Sequence, residues 1–120
     1  MSTLKASNLS TPAGVSTPMA DVVNGSARAW VSFNGVGTVA VRSSYNVSSI
    51  TDLGVGSYQI NFTTPMPDAN YSVVGTAWFP GSTAAITGVT ATNTGSVTVS
   101  TTGPSGTSID ASQDHYAIFR

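Results

Sequence analysis

The chain has no cysteine and no glutamate, a single histidine (His115), and only four lysines and arginines against five aspartates in 120 residues. Without cysteine neither a disulfide nor a thiolate metal site can form. The formal charge is −1 and charged residues make up 8%, against about 25% in an average domain. No basic patch can neutralise a phosphate backbone, so nucleic acid is not an expected partner. No apolar run approaches the length of a membrane span. Residues 1–26 lack the cationic start and apolar core of a signal peptide, so no Sec export is expected. So few charges leave a free monomer weakly protected against association, which suits a subunit that buries surface in an oligomer.

What the chain does have is serine, threonine and alternation. Ser and Thr together number 35, a bias toward strands and turns rather than helices. One domain is expected, residues 27–120, preceded by an arm, 1–26. The arm carries Pro12, Pro18, Gly14 and Gly25 and keeps no period of 3.6 or 2. It is expected to be extended, with at most one short strand. Two readings fit it: a partly disordered tail, or an ordered arm docking on a neighbouring chain or a larger assembly.

From residue 27 the pattern is of period two. Ala27, Ala29, Val31 and Phe33 share one face, and Arg28, Trp30 and Ser32 the other. Asn34-Gly35 reads as a hairpin signal and Gly37 extends the loop, after which Thr38–Arg42 returns and Tyr45-Asn46-Val47 continues extended. Asp52-Leu-Gly-Val-Gly56 turns the chain. Ser57–Thr63 places Tyr58, Ile60 and Phe62 inward. The prolines of 64–70 make a connection, and Tyr71–Phe79 follows, with Val74 and Trp78 on its second face. Ala84–Ala91, Ser96–Thr101 and Ser112–Arg120 complete the set, and no stretch shows helical periodicity. Seven or eight short antiparallel strands at this spacing predict an all-β sandwich or small barrel.

Catalytic patterns are sparse. Gly35-Val-Gly-Thr-Val-Ala40 matches a dinucleotide-binding spacing, but Thr38-Val-Ala-Val-Arg42 is β-branched where that motif opens a helix. A hydrolytic triad needs a carboxylate to orient its imidazole. Asp114 adjoins His115, and neighbours on a strand point to opposite faces. No loop clusters acidic ligands for a cation. No catalytic residue, metal or cofactor is expected. The residues singled out are aromatic: Trp30, Trp78, Tyr45, Tyr71 and Tyr116. Two uses fit them, as core or subunit interface, or as an exposed platform stacking on sugar rings.

The stretch Ala27-Arg-Ala-Trp-Val-Ser-Phe-Asn-Gly-Val-Gly-Thr-Val-Ala-Val-Arg42 resembles a module of tail-fibre and related virion proteins of tailed bacteriophages, especially marine phages. The resemblance runs on through Tyr45–Asp52, Gly56–Tyr71 and Ser72-Val-Val-Gly75, and touches the ends at Ser2–Lys5 and Ala117–Arg120. It implies a β-rich virion appendage protein, assembled as a homotrimer, without enzyme activity, joined to other virion proteins through 1–26. It supplies no receptor-contacting residue. The chain lacks a long shaft, so a short fibre, a fibre tip, an adaptor and a head-surface fibre all fit. The alternative is a carbohydrate- or receptor-binding β module that engages a host surface glycan.

Overall fold

The computed structural model describes residues 3, 5–81 and 85–120. Among them are ten strands and one short helix. The arm holds a small antiparallel hairpin, β1 (Asn8–Ser10) with β2 (Ser16–Pro18), and then helix α1 (Met19–Gly25). This is more ordered than the single strand expected. The helix is missed by periodicity because seven residues make only two turns. Its signals are local: Pro18 stands before it at φ −56°, Asp21 occupies the first turn, and Ser26 closes it, its hydroxyl donating to the Val22 carbonyl at 2.6 Å. The arm lies outside the main core, and the radius of gyration, 16.9 Å, exceeds the roughly 14 Å of a compact chain this long.

The remaining strands are β3 (Ala29–Asn34), β4 (Ala40–Tyr45), β5 (Val47–Gly54), β6 (Ser57–Phe62), β7 (Ser72–Trp78), β8 (Ile86–Thr92), β9 (Ser96–Thr102) and β10 (Gln113–Phe119). They form two four-stranded antiparallel sheets, ordered β4-β3-β10-β7 and β5-β6-β9-β8. The sheets pack face to face as a sandwich rather than closing as a barrel. The expected start at Ala84, the turn residues Ser82 and Thr83, and Ser2 and Leu4 of the opening lie outside the described residues.

Strand order explains which alternations become core. The central strands β3 and β10 of one sheet face β6 and β9 of the other. Ala29, Val31 and Phe33 meet Tyr58, Ile60 and Phe62, with Val97, Val99, Tyr116 and Ile118 completing the layer. Phe33 packs edge-on to Tyr58 at 5.1 Å and stacks on Tyr116 at 6.2 Å. Every residue of β4, at the edge of its sheet, is exposed.

The hairpin between β3 and β4 has the extended loop expected, residues 35–39, whose left-handed residue is Gly37 at φ 68°. Gly35 is glycine for another reason, since a Cβ there would overlap the Tyr58 hydroxyl. Asn46 interrupts the extended run at φ 55°, and at that corner the chain leaves the first sheet for the second. Its side chain holds the corner: Oδ1 accepts from the Thr64 N–H at 2.7 Å, and Nδ2 donates to the carbonyls of Arg28 and Thr64, each at 3.1 Å. Asn46→Ala is expected to lower unfolding free energy by about 2–3 kcal/mol, through backbone strain and lost hydrogen bonds. Asn46→Gly, which relieves the strain alone, should cost about half as much. Urea titration of both measures the two contributions.

Candidate functional site

Cross-strand register assembles an apolar row on the outer face of the β4-β3-β10-β7 sheet. Tyr45 pairs with Trp30, Trp30 with Ala117, and Ala117 with Val74. Outward side chains recur every second residue, so the next row is Ser43, Ser32, His115 and Thr76. Trp78 lies a further row on, opposite Gln113. Tyr45 and Val74 are each 58% exposed, Trp78 50% and Trp30 39%, which is a large apolar display for so small a domain. A shallow depression of about 490 Å³ runs along the middle of this face, lined by Trp30, Ser32, Val74, Thr76, His115 and Ala117.

Of the five aromatic residues singled out from the sequence, three are brought to this face: Trp30, Tyr45 and Trp78. Tyr71 and Tyr116 are not available to a partner, because both point between the sheets and are buried. The Tyr71 hydroxyl donates toward the carbonyls of Asn93 and Ser96, at 2.8 and 2.9 Å, tying the start of β7 to the β8–β9 turn. The Tyr116 ring rests against Gly75, where a Cβ would come within 2.5 Å of it. Burial pushes its phenol up to about 12.

His115 faces outward, with Nε2 3.4 Å from Gln113 Oε1, while Asp114 points into the core on the opposite face of β10. The two do not form an acid–base pair. Asp114 is fully buried. Its Oδ1 accepts the Thr101 hydroxyl at 2.8 Å, and its Oδ2 has no hydrogen-bond partner. Burial pushes this carboxyl up from 3.8 to about 6; the Thr101 bond opposes the rise and the charge of Asp110 adds to it. Asp110 Oδ1 accepts the Tyr58 hydroxyl at 2.6 Å and the Gly56 N–H at 2.8 Å. Burial first, and then that bond to Asp110, raise the Tyr58 phenol well above its ordinary value. The buried aspartate was readable in outline, since Asp114 shares parity with Tyr116 and Ile118. Composition argues the other way, because unpaired buried carboxylates are rare.

Comparison of the chain with protein-family models, with curated proteins and with solved structures found no match in any of the three.

Proposed function

We propose that this chain is a non-enzymatic structural subunit of a tailed-bacteriophage virion appendage (a short fibre, fibre tip, adaptor or head-surface fibre) that assembles as a homotrimer. The observation that carries the reading is the outer row Tyr45–Trp30–Ala117–Val74, with Trp78 beside it. These are apolar side chains on a finished sheet face, and a single copy gives them nothing to pack against. A neighbouring copy covering them would remove that apolar area from water, at about 25 cal/mol per Å². Low net charge supports close approach of identical chains. The resemblance of 27–77 to tail-fibre modules supports the virion and the trimer. The exposed hairpin and helix of residues 8–25 support a role for the arm in contacting other virion proteins.

Light scattering coupled to size exclusion tests assembly. The wild type is expected near three times the 12.2 kDa chain mass. Val74→Asp is expected to weaken association by about tenfold or more, with little effect on the single chain, where Val74 is largely exposed. Thr90→Asp on the other sheet is the control and should change nothing. A wild type that stays monomeric at every concentration overturns the reading.

A further inference from the structure

The cations of this chain are engaged unequally. Arg42 donates to the carbonyls of Phe33 at 3.2 Å and Ser112 at 2.7 Å. Arg120 grips Asp68 through two bonds of 2.9 and 2.7 Å. Lys5 lies in the arm. Among the described residues the Arg28 guanidinium makes no hydrogen bond and no ion pair, although its backbone is held firmly. The Arg28 N–H donates to Ile118 at 2.7 Å and its carbonyl accepts from Asn46.

That free guanidinium borders a groove of about 480 Å³ at the end of the sandwich, between the start of β3 and the loop after β6. Tyr45 forms one wall, and Thr63, Thr64, Pro65 and Pro67 form the other. The walls are already joined: Asn46 bridges the Arg28 carbonyl and the Thr64 peptide, and the Thr63 N–H donates to the Asn46 carbonyl at 3.2 Å. Met66 anchors the loop in the core, with its N–H on the Thr94 carbonyl at 2.7 Å. Two prolines fix the backbone between these points. A ligand entering here would order little that is not already ordered.

We propose that this groove binds a carboxylated sugar residue, a hexuronate unit of an acidic polysaccharide. The guanidinium fork matches one carboxylate with two parallel bonds. The half-exposed Tyr45 ring gives a flat surface for the C–H face of a pyranose, and the hydroxyls of Thr63 and Thr64 meet its hydroxyl groups. A phosphate dianion would call for a second cation, and no lysine or other arginine lines the groove. The groove shares Tyr45 with the face proposed for assembly, while Arg28, Thr63 and Thr64 lie outside that row, so uronate binding by a protein that stays monomeric leaves this proposal standing and overturns only the assembly.

Titration calorimetry on the full chain tests it, with oligomers of galacturonate, glucuronate and mannuronate as probes. Their carboxyl-reduced counterparts, inorganic phosphate and an oligoglutamate peptide serve as comparisons. At least one uronate oligomer is expected to bind saturably, with affinity falling as salt rises. Its carboxyl-reduced form and Arg28→Gln should each lose about tenfold or more, and Tyr45→Ala should also weaken binding. Because the Arg28 side chain makes no hydrogen bond and no ion pair among the described residues, Arg28→Gln should keep nearly the wild-type unfolding midpoint. Failure of all three uronates to bind overturns the proposal. So does equal binding of the reduced sugars, of phosphate or of oligoglutamate, or undiminished binding by Arg28→Gln.

Discussion

Lowering the pH from 7 to about 4 is expected to stabilise this protein by about 2 kcal/mol, and Asp114→Asn is expected to abolish the dependence. The cause is the buried carboxyl on β10. Its titration rises from 3.8 to about 6 in the fold, so between those values the folded chain holds a proton that the unfolded chain has released. Stability from this group is therefore complete below the lower value, falls as pH climbs through the upper one, and is flat beyond. The groups facing it are the Thr101 hydroxyl on β9, the phenols of Tyr58 and Tyr116, and the Asp110 carboxylate. None is a cation that could hold the ionised form. His115 is on the other face of the strand. Asp68, lowered by its bond to Arg120, acts with the opposite sign, but that pair is well exposed and screened by solvent. In the asparagine variant the amide oxygen keeps the Thr101 bond while nothing titrates. The readout is the slope of unfolding free energy against pH, which does not depend on the variant's absolute stability. A wild-type stability that is flat or falls between pH 7 and 4 would show that Asp114 carries no such burden.

Gly56→Ala is expected to be severely damaging, costing about 4 kcal/mol or more and leaving little folded protein at 37 °C. Gly56 sits at φ 64° in the turn between β5 and β6. A Cβ there would lie 2.5 Å from the Thr101 carbonyl oxygen and 2.7 and 2.8 Å from backbone atoms of Ile109. Those neighbours are main chain, and they cannot rotate away as a side-chain tip could. The same backbone is tied in by the Gly56 carbonyl accepting from the Thr101 N–H at 2.8 Å and by the Gly56 N–H on Asp110. Relief would break the connection that holds residues 103–112 over the end of the sandwich. Gly106→Ala is the control. It has φ 81° and open space around it, so it should cost about 1 kcal/mol from backbone conformation alone. Thermal unfolding of both variants checks the contrast, and equal losses would remove the steric argument.

How much of this was legible depended on how local each feature is. The inward set Tyr58, Ile60 and Phe62 could be read directly, because pleating sends alternate side chains to opposite faces whatever the partners are. The same holds for Val97 and Val99, whereas Tyr116 and Ile118 could be placed on one shared face but not assigned to the inside. Glycine positions were visible as breaks in pattern, but not their reasons. Gly35 was read as a hairpin residue, and the fold adds that it keeps a gap open for the Tyr58 hydroxyl. The aromatic residues were found as a group and divided only by the fold, with Tyr71 and Tyr116 inside and Trp30, Tyr45 and Trp78 outside.

By itself, then, the chain determined an all-β protein and which residues share a face of each central strand. Composition and two-residue alternation are properties of short segments, and physics acts on them before any long-range contact forms. Only the tertiary structure decided the order β4-β3-β10-β7 and β5-β6-β9-β8, the partnerless Oδ2 of Asp114 and the place of Arg28 beside the groove. Backbone ladder bonds are the same for every residue type, so they do not name their partner. Register across strands far apart in sequence places Trp30 beside Ala117, and the corner at Asn46 sets Arg28 against Thr64. Both depend on which strands meet, and that is chosen by the packing of the whole core.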